Sequence, residues 1–376
     1  MLSSISDNHI NDTEKKQRVL LIGDANGYFR VDYARNLNND KYDMDILSFR
    51  KCNPENAVYY NKVIECTRKP GNILNTLRFF LDYYKCLKSL DSYDAIHIHS
   101  VKLYHSLFAG VLKKKCRVLA TTIYGSDIYR VGKITRFLLR RLFNKSNHIS
   151  VATEEVKSDF VRFFGKKNMD KIKVAPFGLT QLAHIDRIRN NRTALMKELN
   201  IPEGKKIVTI GYNATPQQHQ MEIIDLVSKD PVCKELFYVI PLSYGNDELK
   251  KKVKKHFEES GLPGVCFCDF WPGEEISKLR VISDIMIQVQ DTDAFSASMA
   301  EYLYAGNIII TGSWLPYDSI SKYINTVSAL NEIPELVHKI LDSFEEYKQK
   351  STDSVQYLYD NYSWEQLKRR WFALYE

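Results

Sequence analysis

Short, continuous apolar runs recur along the chain, and segments of helical periodicity separate them. The first is RVLLIG (18–23), followed by YDMDILSF (42–49), YDAIHIHS (93–100), RVLATTIYG (117–125), HISVAT (148–153) and IKVAPFG (172–178). A run without polar alternation suits a strand buried on both faces, as in a parallel sheet, and segments such as ILNTLRFFLDYYKCLKSL (73–90) supply the crossover helices. After a charged stretch (184–206) the alternation restarts with IVTIGYN (207–213), LFYVIPLSYGN (236–246), GVCFCDF (264–270), DIMIQVQ (284–290) and NIIITGS (307–313). The pattern predicts an α/β protein of two Rossmann-like, doubly wound parallel-sheet domains facing each other across a cleft. The expected limits are a flexible tail 1–16, a first domain 17–178, a second domain 179–355 and a C-terminal helix 356–376, which can cross back to the first domain.

Length agrees, since 376 residues are too many for one ordinary core and suit two domains. Seven cysteines without a C-x-x-C pair read as thiols in a reducing compartment, with Cys266 and Cys268 alternating on a strand. No apolar run is long enough to span a bilayer and the polar start lacks a signal-peptide core, so a cytoplasmic location is expected. Lys and Arg outnumber Asp and Glu by 35 to 20 over residues 1–200, whereas over the remainder the acids lead by 26 to 18. In VGKITRFLLRRLFNK (131–145), Ile134, Phe137, Leu138 and Leu142 share a helical face with Lys133, Arg136 and Arg140 beside it. Such a helix either buries an apolar stripe between solvated charges or lies on an anionic leaflet. With KKKCR (113–117) and the charge imbalance, peripheral membrane contact by the first domain is expected. Nucleic acid is not an expected partner, because no recognition module or aromatic platform accompanies the basic residues.

In open parallel sheets, ligands bind outside the carboxyl ends of the strands, which selects a few loops. In the first domain they hold Asp24, Asn26, Gly27 and Arg30, then His99, then Tyr124, Gly125, Ser126 and Asp127. In the second they hold Gly211, Asn213 and His219, then Tyr244, Gly245 and Asn246, and then the stretch DTDAFSASMAEYLYAG (291–306). The last reads as a loop and a helix that begins near Ser296 and ends at Gly306. Phe295, Ser296, Ala297 and Ser298 would offer small side chains and free N–H groups to a diphosphate, with Asp293 and Glu301 accepting bonds from sugar and ribose hydroxyls. The alternative is a helix capped by Asp293 or Ser296 with Glu301 on a solvated face. Asp127 reads either as a general base or as an N-cap of the next helix. His97 and His99 alternate at a spacing compatible with a metal but without further ligands, so core histidines are expected, with His99 nearer to substrate. Trp271 and Pro272 suit the wall of a nucleobase site.

The DTDAFSASMAEYLYAG stretch resembles the E-x7-E region of GT-B glycosyltransferases of family 4, with Asp293 in place of the first Glu. YDAIHIHS, TTIYGSDIYR, KVAPFG and NYSWEQLKRRW are similar to other parts of such chains. GSDIYR, GYNATPQQH and PLSYGN also resemble the fucosaminyltransferases of enterobacterial common antigen synthesis. The resemblance implies transfer of a sugar from a nucleoside diphosphate sugar to a glycan, lipid-linked or protein-linked acceptor, in bacterial surface glycan assembly. Asp127 and Asp293 would act in catalysis, the second domain would grip the donor and the first the acceptor. Gly27 would lie against the donor phosphates or the acceptor. No metal or other cofactor is implied, as DTD (291–293) belongs to the loop already described and DMD (43–45) to a strand. Family 4 members carry an Arg and a Lys after the first strand of the second domain. Here that loop is GYNATPQQHQ, so the diphosphate would rely on His219, on backbone N–H groups of Gly211 to Ala214, or on Arg30 across the cleft. A UDP-sugar 2-epimerase on the same scaffold and a catalytically silent subunit remain as alternatives.

Overall fold

The computed structural model describes residues 16–39, 41–67, 73–124, 126–129, 131–293 and 295–376, without the side chains of Ile73 and Ser126. The chain divides into two compact units, one of residues 1–177 with 367–376, the other of residues 178–366. Each holds one all-parallel sheet.

In the first unit seven strands, β1 (Gln17–Gly23), β2 (Tyr42–Ser48), β3 (Val63–Glu65), β4 (Tyr93–His99), β5 (Cys116–Ile123), β6 (His148–Val151) and β7 (Ile172–Val174), lie in the order β3-β2-β1-β4-β5-β6-β7. The second unit has β8 (Ile207–Ile210), β9 (Phe237–Pro241), β10 (Gly264–Phe267), β11 (Ile285–Gln288), β12 (Ile308–Gly312) and β13 (Asn325–Val327), ordered β10-β9-β8-β11-β12-β13. Every predicted apolar run forms a strand. The two strands that pattern alone does not reveal, β3 and β13, are edge strands of three residues, too short for any period to show. Both orders reverse direction once, between β1 and β4 and between β8 and β11. The loops leaving a strand pair at such a switch point diverge to opposite faces and leave room between them.

Helices cover both faces. On one face of the first sheet, Phe79, Tyr83 and Leu87 of the helix Ile73–Ser89 and Leu139, Leu142 and Phe143 of the helix Lys133–Lys145 join a single core with β1, β4 and β5. The second sheet is sandwiched between two such clusters.

The C-terminal segment is not one helix. Ser363 is extended (φ −74°, ψ 142°) and separates Val355–Tyr362 from Trp364–Phe372. Leu179 N donates to Tyr362 O at 2.8 Å, and a Cβ on Gly178 would overlap the Trp364 ring, so glycine is required where the second unit begins. Beyond Gln366 the chain packs with the first unit. Trp371 Nε1 donates to Pro176 O (3.1 Å), the Tyr375 and Tyr33 hydroxyls lie 2.7 Å apart, and Phe372 stacks on Tyr42.

His97, His99 and His105 are buried, and His97 is enclosed by Thr122 Oγ1 (2.7 Å) and the Tyr375 hydroxyl (2.9 Å). Burial pushes His97 and His105 down to about 3 and His99 well below its ordinary value. These rings stay neutral when folded, whereas the unfolded chain protonates them near pH 6.5. Stability is therefore fully present above that pH and falls as pH drops from about 6.5 toward 3, by roughly 1.4 kcal/mol per pH unit for each histidine. Urea titrations at pH 7 and pH 5 should show a lower midpoint at pH 5, and His97→Asn should flatten the dependence.

Candidate functional site

In the second unit, β11 ends at Gln288 and the helix Ala297–Tyr304 begins nine residues later. Ser296 is its N-cap: Oγ accepts from Met299 N at 3.1 Å and donates to Gln288 Oε1 at 2.9 Å, fixing the helix start to the strand end. With Met299 N satisfied, the N–H groups of Ala297 and Ser298 have no partner among the described residues. They carry the positive end of the helix dipole at the sheet's carboxyl edge, with Ala297 half-buried. Gly306, at φ +85°, ends the helix one residue after its C-cap.

Glu301 is not on a solvated face. It is 5% exposed, and its Oε2 accepts from Arg280 Nη2 at 3.0 Å and from Arg280 Nε at 3.2 Å. Arg280, on the helix Glu274–Ile282, also donates to Ser298 Oγ at 3.1 Å and lies over the Tyr302 ring, 4.4 Å from its centroid. Burial alone would lower the pKa of this guanidinium, but Tyr302 and Glu301 outweigh it and raise it. Arg280 Nη1 is buried without a partner. Asp293, half-buried in the loop, accepts from the Tyr317 hydroxyl at 2.7 Å. Phe295 stacks on Tyr362 at 4.7 Å.

The loops after β8 and β9 form one platform on the other side of the switch point. Ala214 N donates to Tyr244 O (2.7 Å) and Asn246 N to Ala214 O (3.0 Å). A Cβ at Gly245 (φ +124°) would collide with Ala214 O. Of the amides expected to meet phosphate, Gly211 N is spent on Ile287 O and Ala214 N on Tyr244 O. Asn246 caps the helix Asp247–Ser260 through Leu249 N (2.9 Å), so its side chain serves that helix. His219, itself a helix N-cap residue at φ +50°, is bonded to Asp291 at 2.7 Å and stands 3.6 Å from Glu222. Its imidazole is therefore set between two carboxylates. Tyr244 remains at the site: burial raises its phenol, a hydrogen bond with Asn213 and the charge of Arg280 lower it, and Glu301 and Asp293 raise it. Asn213, Arg280, Glu301 and Asp293 thus all act on the Tyr244 phenol. Trp271 packs against Phe267 with ring centroids 4.6 Å apart.

In the first unit, the loops after β1, β4 and β5 converge on Arg30. Its side chain occupies the space that a Cβ on Gly23 or Gly27 would need, and its Nε donates to Asp24 O at 2.6 Å. Tyr124 is half-buried, and desolvation raises its phenol against the opposing charge of Arg30; its hydroxyl lies 3.1 Å from His99 Nδ1. Asn26 is committed to Lys51 O and Asn53 N, both at 2.8 Å, and Asp24 pairs with Arg50 at 3.4 Å. Asp127 does not cap the helix after it. Its carboxylate accepts from Val101 N (3.0 Å), Tyr124 N (3.2 Å) and Ser100 Oγ (3.2 Å), tying the ends of β4 and β5 together at 2% exposure. Gly125 and the Ser126 side chain lie outside the described residues.

Residues 18–153 match the family model for a glycosyl transferase 4-like domain. A glycosyltransferase from Rickettsia africae aligns with 96% of this chain and 98% of its own at TM-score 0.74 and 15% identity. A sucrose-phosphate synthase from Thermosynechococcus elongatus covers the same shares at TM-score 0.72 and 12% identity. Anabaena HepE, solved in complex with UDP, aligns over 95% of this chain and 98% of its own at TM-score 0.69 and 11% identity. The fold is GT-B. No curated protein sequence matches the chain.

The candidate site holds two residues that sequence reasoning missed, Arg280 and Tyr317. Tyr317 lies in a loop past β12, and Arg280 sits in KLRVI, where nothing distinguishes a buried guanidinium from a surface one. Asp230, Cys233 and His338 bring possible ligand atoms within 4.8 Å of one another. Asp230 Oδ1 already accepts from His338 Nε2 (2.8 Å), Cys233 N (2.9 Å) and Val232 N (3.0 Å). The group is a turn cap before β9, at the opposite sheet edge from the loops above. Breaking a buried ion pair on one side strands the other charge, at a typical cost of about 3–5 kcal/mol. Arg280→Met or Glu301→Leu should each destabilise the protein by about that much in urea titrations, and the double variant by clearly less than their sum.

Proposed function

We propose that the chain is a glycosyltransferase whose second unit binds a nucleoside diphosphate sugar at the N-terminus of the helix Ala297–Tyr304. The observation that carries this reading is the pair of unpaired N–H groups, Ala297 and Ser298, beside a buried Arg280 with an unpartnered Nη1. Amide dipoles and a fixed cation are what a departing diphosphate needs, because they stabilise charge as the anomeric C–O bond breaks without having to reorganise. Arg280 thus takes the part left vacant by the cation-free loop GYNATPQQHQ. Glu301, oriented by Arg280, accepts from the ribose hydroxyls, Asp293 receives the sugar, and Tyr244 and Trp271 border the base. HepE was solved in complex with UDP and with UDP-glucose, and its similarity of fold supports a UDP-sugar as the first donor to test.

The first unit receives the acceptor, a glycan or a lipid-linked or protein-linked sugar of the kind assembled at bacterial surfaces, over Arg30, His99 and Tyr124. Asp127 positions these loops, since a base would have to release three hydrogen bonds to take a proton. No metal is assigned a step.

UDP should raise the melting temperature of the wild type. Asp293→Ala should keep most of that shift and lose turnover, whereas Glu301→Ala should lose the shift. UDP release from UDP-sugars should require an acceptor glycan. Conversion of the donor sugar without an acceptor would point to an epimerase, and absence of any nucleotide shift to a silent subunit.

A further inference from the structure

The helices Ile73–Ser89 and Lys133–Lys145 each carry a second apolar face that the core does not use. In the first, Leu74, Leu77 and Leu81 are 71%, 55% and 61% exposed, opposite the buried Phe79, Tyr83 and Leu87. In the second, Ile134 and Phe137 are 79% and 66% exposed while Leu142 is fully buried. The apolar residues that share a face in the sequence pattern are split: Leu142 is buried in the core, and Ile134 and Phe137 are exposed. Both helices press their inner faces into the same core cluster, so their outer faces point off the same side of the sheet. They are joined between by the segment 103–114, where Phe108 lies 5.7 Å from the Tyr84 ring and Ser106 Oγ bonds Leu138 O at 2.5 Å. Leu107 and Leu138, both exposed, continue the patch across the join.

The charges around this patch are predominantly positive. Helix Ile73–Ser89 has three Lys or Arg, the segment Ala109–Lys114 two and helix Lys133–Lys145 five, against the single acid Asp82. Protein interfaces of this apolar character are depleted of lysine and charge, whereas a surface of exposed leucine and phenylalanine inside a basic rim matches the boundary of an anionic bilayer. There the apolar side chains enter the acyl region and Lys and Arg stems reach back to the phosphates. No described helix is long and apolar enough to cross a membrane, so the contact would be peripheral. From this juxtaposition we infer that the face built by helices Ile73–Ser89 and Lys133–Lys145 docks the first unit on an anionic phospholipid surface. The inference does not depend on the donor site in the second unit.

The full chain should be sedimented with vesicles of phosphatidylcholine alone and with about one third phosphatidylglycerol, at low and high salt. Binding is expected to the anionic vesicles only and to weaken with salt. Arg140→Ser and Arg141→Ser should each lower apparent affinity roughly fivefold. Leu77→Glu/Leu81→Glu and Ile134→Glu/Phe137→Glu should each abolish binding while circular dichroism and UDP-induced thermal shift stay unchanged. Unaltered vesicle binding by these two double variants would overturn the inference. So would a concentration-dependent dimer in ultracentrifugation that Phe137→Glu abolishes, since that would assign the patch to a second copy of the chain.

Discussion

A buried guanidinium holds the helix Ala297–Tyr304 of the second unit in place. Arg280 ties the helix Glu274–Ile282 to Ser298 and Glu301, the second and fifth residues of the helix Ala297–Tyr304. The helix start is fixed a second time by Ser296, which bridges Met299 N and the Gln288 side chain at the end of β11. Two anchors at one helix terminus keep its free amides aimed at one place. A preorganised dipole costs nothing to turn when charge develops in front of it, so on the proposed function rigidity here would count toward catalysis as well as stability.

On the proposed function, the same pair would let the site manage without cations on the loop after β8. Family 4-like enzymes usually place positive side chains there, and this chain has Gly211, Asn213 and a His219 held by Asp291. Positive charge comes instead from below the helix, through a residue whose own desolvation is offset by Glu301 and Tyr302. A buried ion pair is weak evidence for stability by itself, since apolar residues often do as well. Its location beside two unpaired amides is what gives the pair a functional reading.

The fold was legible because strands buried on both faces of a parallel sheet leave continuous apolar runs, which here are short and alternate with longer segments of helical period. Edge strands such as Val63–Glu65 escape for the same reason, having one neighbour and three residues. The candidate site was legible only as a set of loops. Which strand ends carry ligand loops follows from topology. What each polar side chain does there does not, because Asp127, Asn246 and Asn26 are as well suited to closing turns as to meeting a substrate, and each proves to close one. Arg280 was hidden because its partner lies 21 positions later, on another helix. Glu301 was half visible: its spacing from Asp293 suggested a role, but its burial depends on that unseen arginine. In the helix at 133–145 the amphipathic period was plain, and only packing revealed that Ile134 and Phe137 do not face the core.

The position of a bound diphosphate decides whether this helix terminus is a donor site. A crystal structure of the chain with bound UDP tests it most directly. Phosphate oxygens should lie within about 2.7–3.2 Å of the Ala297 and Ser298 amide nitrogens, with the Glu301 carboxylate at the ribose. A diphosphate bound away from that helix terminus, or amides there covered by protein atoms in the complex, would contradict it.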